Sequence, residues 1–246
     1  MNTNTKKEMM QRIEKNIRQH GYHIYIVAGM DATPRFAYTI GLSSDIGAEI
    51  VLAGASFYSN NDVCTIIEKV AENLCTGVDW QKTLIEIASL GSFLLRKVDH
   101  SWVNMLLLGA LDYYKNEITA LQIIPDQLHM TVDVPNLSSH WNPATEPVWQ
   151  WLSEPWSFLI PENSIGITNI AALRGEIITE VMRWEELEWE LFAGAGPDVS
   201  QEDFRKVPLG TLLAIDKSLH IITNLDVGKG LWRKHGDFDW HSWEPR

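Results

Sequence analysis

Two histidines near the N-terminus have a spacing that could hold a metal ion. His20 and His23 are separated by two residues, and Glu49 could supply a third zinc ligand. However, a helix that ends at Gly21 and a strand that follows it would point the two imidazoles in different directions. A histidine at a helix C-terminus is also stabilised by the helix dipole. We therefore expect no metal site, with His23 packed inward.

Two hydroxyl side chains further along could line a ligand pocket. Tyr38 and Thr39 precede Gly41, and glycine allows a ligand or a second backbone to come close. Together with His23 they would form a small-ligand or catalytic pocket. The residue types favour the alternative, a core strand in which the Tyr38 hydroxyl group is hydrogen-bonded at its tip.

Familiar catalytic motifs are absent from the sequence. The chain has no G-x-S-x-G elbow and no Walker loop, and Gly194-Ala-Gly196 lacks the third glycine and the following helix of a dinucleotide motif. Cys64 and Cys75 fall on one predicted helix, about 16 Å apart, which is too far for a disulfide bond. Both lie on the apolar face of that helix, so we expect them to be small core side chains. We expect no catalytic residue, no cofactor and no enzymatic activity.

The strongest pattern is a cluster of acidic and aromatic residues in the C-terminal third. Six glutamates and two tryptophans crowd together there: Glu176, Glu180, Trp184, Glu185, Glu186, Glu188, Trp189 and Glu190. From 186 to 191 glutamates alternate with apolar residues, which places three carboxylates on one face of a strand. The cluster is either a solvated strand edge or an interface for a cationic partner. The interface interpretation assigns partner binding to all of these residues except Glu176.

The charge balance excludes several kinds of partner. The 246 residues include 20 Lys and Arg against 32 Asp and Glu, for a formal net charge of −12. This disfavours nucleic acids and anionic membrane surfaces, since both are bound through basic side chains. The apolar runs are too short for a membrane span and the N-terminus lacks a secretory signal, so we expect a cytoplasmic protein.

Hydrophobic periodicity predicts a mixed N-terminal half. Apolar residues at helical spacing predict three helices, which include 10–17, 63–74 and 102–114. Strand patterns occupy five segments, 22–27, 36–42, 49–55, 93–98 and 120–124. The helix at 63–74 follows a cap formed by Ser59 and Asp62.

Residues 135–164 interrupt this pattern. Five prolines exclude a continuous helix or a central strand. Four tryptophans in the same stretch predict a linker that is docked on one or both flanking parts.

The remainder of the chain has a different character. Nine of the 11 tryptophans lie after residue 140, and strand-like segments are found at 165–173, 175–182, 184–192 and 207–215. We predict an α+β fold with two domains. An N-terminal α/β sandwich-like domain would occupy 1–134, the docked linker 135–164, and a smaller mainly-β domain 165–246.

Specific motifs in the N-terminal half resemble a known family. His20-Gly-Tyr-His23, the FAYTIGL strand at 36–42 and the strand that begins at Glu49 resemble the bacterial domain-of-unknown-function family 4262 over about residues 5–130. That family has Gly-His-Pro-Glu where this chain has Gly47-Ala-Glu49. The resemblance implies an opening helix, turn and strand, and it implies no established activity.

The C-terminal part is similar to immunity-type modules of polymorphic-toxin loci. The similarity lies in three segments, 189–194, 207–219 and 225–233. With the charge and the tryptophans, it predicts an immunity protein that occludes the active site of a cognate toxin. The partner would be a basic, secreted effector domain such as a nuclease or an ADP-ribosyltransferase. The alternative is a small-ligand-binding or enzymatic domain with its pocket near Tyr38, Thr39 and His23.

Overall fold

The computed structural model describes residues 3–29, 31–237 and 239–243 and has an α+β fold. Its first sheet contains β1 (His23–Val27), β2 (Phe36–Ile40), β3 (Glu49–Ala53), β4 (Ile85–Ile87), β5 (Gly91–Lys97) and β6 (Ala120–Pro125). The strand order is β1-β2-β3-β6-β5-β4, and only β3 and β6 pair in parallel. None of the helices in the described ranges is long and apolar enough to cross a membrane.

Helices cover both faces of the first sheet. They are α1 (Thr3–His20), α2 (Ser43–Ile46), α3 (Asn60–Cys75), α4 (His100–Leu106) and α5 (Leu108–Tyr114). The core on one face contains the buried residues of α3, and the core on the other contains Ile13 of α1, Trp102 of α4 and Ala110 of α5. All five residues of β2 are consequently buried, as expected for a strand that is covered on both sides.

The helix predictions for this half have different outcomes. The prediction for α3 is confirmed, because Ser59 and Asp62 form a capping box and the apolar stripe from Val63 to Leu74 is buried. The prediction of core cysteines is wrong, since Cys64 is half-buried and Cys75 is exposed. Each cysteine directly follows a residue of the stripe, so it is turned about 100° away from the core.

The single helix predicted at 102–114 is also wrong. It is divided at Leu107, whose backbone has φ −93° and ψ 37°, between α4 and α5. Leu106 and Leu107 are consecutive and both are buried. Packing of both side chains against the core therefore accompanies the break, which a helical periodicity does not reveal.

The second sheet lies in the C-terminal half. Its strands are β7 (Ile165–Asn169), β8 (Glu180–Arg183), β9 (Glu188–Phe192), β10 (Phe204–Pro208), β11 (Lys229–Trp232) and β12 (His241–Trp243). The order is β10-β7-β9-β8-β11-β12, and only β7 and β9 pair in parallel. One face is covered by α6 (Ile170–Leu173), by α7 (Leu209–Ile215) and by the 3-10 helix Lys217–Asn224, which together enclose a core.

The strand segments predicted at 165–173, 175–182 and 184–192 each overlap an observed strand but are too long, whereas the prediction at 207–215 is wrong for most of its length. The strand predicted at 165–173 stops at Asn169, because the Asn169 side chain caps α6. The segment at 207–215 is mostly the helix α7, since Leu209, Leu212 and Leu213 have helical spacing and are all fully buried. The strand predicted at 175–182 begins only at Glu180.

The proline-rich stretch is packed between the two sheets. It contains the 3-10 helix Pro147–Leu152, in which Trp149 is 1% exposed. The indole Nε1 of Trp149 donates a hydrogen bond of 2.9 Å to the carbonyl oxygen of Asp133. Trp149 and Ala214 of α7 belong to the same core as α4 and α5. Because this core includes residues from both halves, the division at 134 and 165 into independent domains stays a prediction.

Replacement of Trp149 should destabilise the protein strongly. We expect Trp149→Ala to lower the free energy of unfolding by about 3–5 kcal/mol, because it leaves a large cavity in a shared core. Trp184, which is 42% exposed, is the matched control, and Trp184→Ala should change stability by less than about 0.5 kcal/mol. Urea unfolding followed by circular dichroism measures both, and equal losses would contradict the proposed role of Trp149.

A buried arginine at the end of β11 forms hydrogen bonds with the residues that follow α7. Arg233, 4% exposed, donates to Asp216 Oδ2 at 2.7 Å, to Ser218 Oγ at 2.7 Å and to the carbonyl oxygen of Ile178 at 2.8 Å. Burial alone would raise the pKa of Asp216, but the hydrogen bonds from Ser218 and Arg233 outweigh it and lower the pKa. The ion pair is therefore formed at neutral pH.

The ion pair between Arg233 and Asp216 should make the free energy of unfolding depend on pH. A carboxylate with a lowered pKa stabilises the fold above the unfolded value of about 3.9, and the contribution is lost as the pH falls through the folded value. Between about pH 6 and pH 3, the native protein should therefore lose more stability than Asp216→Asn, which lacks this ionisation. Asp198→Asn, at an exposed position, should behave like the native protein in the same urea titrations.

Candidate functional site

The face of the second sheet that is opposite its helices carries the predicted acidic cluster. Side chains that pair across neighbouring strands share a face. Met182 pairs with Glu190 on β9 and with Gly230 on β11, and Glu180 pairs with Trp232. The pairings therefore put Glu180, Glu188, Glu190 and Trp232 on one face, and the turn between β8 and β9 carries Trp184, Glu185 and Glu186 at its end. These seven residues are here named the acidic face.

A short turn between β8 and β9 lies at one end of the acidic face. The backbone amides of Trp184 and Glu185 both donate to the carbonyl oxygen of Glu188, at 3.0 and 3.2 Å. Arg183 fixes the turn from the other side, since its guanidinium group lies 4.9 Å from the centre of the Trp189 ring and donates to the carbonyl oxygen of Glu186. The exposed Trp184 is therefore held on a rigid hairpin.

The carboxylates of the acidic face are largely unneutralised. Glu185, Glu186 and Glu188 are exposed, and Glu190 is half-buried. Among the ion pairs of the described residues, none involves these four groups. Glu180 differs from them because it accepts a hydrogen bond from the Gly196 amide at 3.1 Å. The surface can thus attract a cationic group from outside.

Two residues of the predicted cluster do not belong to this face. Trp189 is fully buried in the core of the second sheet with Val181 and Leu191, so its assignment as a partner-binding residue is wrong. The reason is the strand alternation itself, which points Trp189 away from Glu188 and Glu190. Glu176 is exposed but precedes β8, near the end of α6.

Trp232 also belongs to the acidic face, although no pattern in the sequence indicates it. This side chain is 40% exposed, and its ring lies 4.9 Å from that of His241 on the neighbouring β12, with an angle of 39° between the ring planes. Gly230, two residues earlier, has no room for a side chain because the Trp243 ring lies against it. Trp232 is more than forty residues from the hairpin, so only the strand order could place it beside Glu180.

The alternative pocket residues are not assembled into a common cavity. Tyr38 and Thr39 are consecutive in β2 and point to opposite faces, and they are 1% and 0% exposed. The Tyr38 hydroxyl group accepts a hydrogen bond of 3.0 Å from the Gly109 amide, and burial raises the pKa of this tyrosine. His23 lies on the Tyr38 side, where its Nδ1 is 2.8 Å from the Asn16 amide nitrogen. Burial and the nearby Arg12 lower the pKa of His23.

Glu49 is fully buried and serves as an acceptor instead of a metal ligand. Its Oε2 accepts from the Thr39 hydroxyl group at 2.6 Å. Its Oε1 accepts from the amides of Gly41 and Ser43 at 3.1 and 3.0 Å, and from the hydroxyl groups of Ser43 and Tyr114 at 2.8 and 2.6 Å. The described residues contain no group of three His, Cys, Asp or Glu side chains that could hold a metal ion.

This network explains the most distinctive motif of the chain. Thr39 and Gly41 both belong to the FAYTIGL strand, and both donate to the glutamate that follows Gly47-Ala48. Burial raises the pKa of Tyr114, and its hydrogen bond to Glu49 raises it further. The tyrosine therefore stays protonated and donates to the carboxylate. The motif thus has a structural role in the turn between β2 and β3.

Comparison with protein families confirms the resemblance. Residues 16–129 match the family model of the Domain of unknown function (DUF4262). The match covers a little under half of the chain and includes the whole first sheet. Comparisons with curated proteins and with solved structures gave no match. The DUF4262 segment therefore contains the Glu49 network, whereas the acidic face lies outside it.

Disruption of the network should destabilise the DUF4262 segment. Glu49→Gln introduces an amide NH₂ that opposes several existing donors, and we expect a loss of about 2–4 kcal/mol in the free energy of unfolding. Glu68→Gln removes one carboxylate from an exposed position of α3 and should leave stability within about 0.5 kcal/mol. Urea unfolding compares the two variants, and a Glu49→Gln protein of native stability would refute the structural role.

Proposed function

We propose that this protein is an immunity-type inhibitor that binds a cognate bacterial toxin through the acidic face and occludes the toxin's active site. The observation that carries the proposal is the combination of exposed, unpaired carboxylates with two tryptophans that are 42% and 40% exposed, Trp184 and Trp232. Tryptophan is enriched among residues that dominate binding energy, and clustered carboxylates accelerate association with basic partners.

The position of the cluster in the sheet supports an interface. Charged side chains often protect a strand edge from pairing with other chains. However, β8 and β9 are inner strands, with β11 and β7 as their outer neighbours. An edge-protecting role is therefore not needed here, and the like charges repel one another on the free protein. A cationic partner would remove that repulsion.

The kind of partner follows from charge. Enzymes that act on nucleic acids or nucleotides hold phosphate groups with basic side chains. A protein with a net charge of −12 and a rigid acidic hairpin can cover such a cleft without a cofactor. The side chains of His23, Tyr38 and Thr39 do not converge on one cavity, so the arrangement does not favour the alternative of a small-ligand pocket.

The first experiment is a search for the partner. The tagged full-length protein is expressed in its native host and recovered at low salt, and stoichiometric partners are identified by mass spectrometry. Recovery of an effector polypeptide or its C-terminal fragment would support the proposal. Recovery of no polypeptide under conditions in which the host produces its effectors would contradict it.

Charge reversal on the acidic face should then slow the association. We expect the triple variant Glu185→Lys, Glu186→Lys, Glu188→Lys to lower the association rate by about tenfold or more at low salt, with the effect reduced at high salt. The matched control reverses three exposed glutamates elsewhere, Glu8, Glu14 and Glu86. Trp184→Ala should instead accelerate dissociation, by about tenfold or more. Surface plasmon resonance measures both rates, and equal effects of the two triple variants would refute a specific interface.

A further inference from the structure

A polar cavity lies where β10 meets the first half of the chain. Its volume is about 370 Å³, within the range of small-molecule sites. The first half contributes Arg35, the turn at 28–29 and the loop at 56–60, and the second half contributes Ile165 and the whole of β10. The cavity is distinct from the acidic face, because β7 separates β10 from β9 in the sheet.

Three basic side chains line this cavity, although the protein as a whole is acidic. They are Arg35, Arg205 and Lys206. Arg35 is anchored by the carbonyl oxygens of Ala55 and Tyr58, at 3.0 and 2.9 Å, and by the Asn60 side chain at 2.8 Å. Burial lowers the pKa of Arg35, but a guanidinium group remains charged in proteins.

Arg205 is anchored in the same way from the opposite wall. Its Nε donates to the carbonyl oxygen of Phe57 at 2.9 Å, and its Nη1 donates to the carbonyl oxygens of Glu202 and Phe204. These bonds leave Nη2 without a hydrogen bond to any described residue. The exposed Lys206 likewise has no ion pair within the described ranges. Arg205 and Lys206 are consecutive in β10, so their side chains point to opposite faces of the sheet, and only Lys206 lies on the face of Phe204 and Pro208.

The acidic groups near the cavity already hold other donors. Asp62 accepts from the amide and hydroxyl groups of Ser59, and Asp133 accepts from those of Ser56. Glu190 lies on the same sheet face as Lys206, but two strands away, at about 10 Å. The charges of Asp133 and Asp62 also act on Arg35 and raise its pKa against the effect of burial, whereas no ion pair of the described residues involves Arg205 or Lys206. The N-terminus of α3, at Asn60, adds partial positive charge to the wall.

We propose that this cavity binds a phosphate group, either as free phosphate or as the head of a small organic phosphate. The Lys206 ammonium group would donate to the phosphate oxygens, and the Arg35 guanidinium group would add charge from the opposite wall. Arg205, whose side chain points to the other face of β10, would add only longer-range charge. The adjacent apolar side chains of Phe204, Pro208 and Ile165 would contact an organic remainder. The site depends on both halves of the chain, so its ligand would also stabilise their contact.

The test uses inorganic phosphate, adenosine monophosphate and adenosine with the full-length protein at constant ionic strength. Isothermal titration calorimetry and thermal shift measure binding. We expect inorganic phosphate to bind and to raise the melting temperature, and chloride at equal ionic strength to do neither. Tighter binding of adenosine monophosphate than of phosphate, with no binding of adenosine, would identify an organic phosphate as the ligand. Binding of phosphate alone would identify the free anion.

Substitution of Lys206 tests whether phosphate binds in this cavity. Lys206→Gln should weaken phosphate binding by about tenfold without loss of stability, because an exposed charged donor is removed. Lys7→Gln makes the same change at an exposed position of α1 and should leave the affinity unchanged. The proposal is overturned if phosphate and adenosine monophosphate both fail to bind, or if both variants alter binding equally. Neither result bears on the toxin interface, since the probes do not involve the acidic face.

Discussion

The buried carboxylate of Glu49 is the constraint on which the first half of the molecule depends. An ionised group without solvent must have its oxygens occupied by donors, or its burial would be prohibitively unfavourable. Two hydroxyl groups and two amides of the segment 39–43, together with the Tyr114 hydroxyl group, meet this requirement. The consequence is that the end of β2, the start of β3 and the end of α5 have fixed positions relative to one another.

The two halves are joined by aromatic packing and by backbone hydrogen bonds. Trp149 inserts from the proline-rich stretch into the core beside α4 and α5, and Ala214 of α7 belongs to that same core. The Val132 amide donates to the carbonyl oxygen of Leu173 at 2.8 Å, and Arg205 reaches the carbonyl oxygen of Phe57. Because these contacts cross between the halves, the cavity beside β10 is a product of their packing and would not exist in either half alone.

Charges of opposite sign are separated on the second sheet. Carboxylates occupy the inner strands β8 and β9 and the turn between them, whereas Arg205 and Lys206 lie on the edge strand β10. Ile165 and Ile167 of β7 lie between Lys206 and the carboxylates of β9 on the face that they share, whereas Arg205 points to the opposite face. The separation keeps both sets of charges available, since opposite charges in contact would neutralise each other. One sheet can therefore carry an acidic surface and a basic cavity at the same time.

Local patterns in the sequence determined much of the secondary structure and part of the surface. The capping box and apolar stripe specified α3, and the alternation at 186–191 correctly placed Glu188 and Glu190 on the face opposite Leu191, because both are properties of neighbouring residues. The same alternation placed Trp189 inside, and its selection as a contact residue followed from its residue type alone.

The break at Leu107, the helix α7 and the inner position of β8 and β9 depended on packing against distant segments. Tertiary structure alone brought Trp232 beside Glu180, surrounded Glu49 with its donors, and assembled Arg35 with Arg205 and Lys206, because these neighbours are far apart in the chain and are joined only by strand order and core packing.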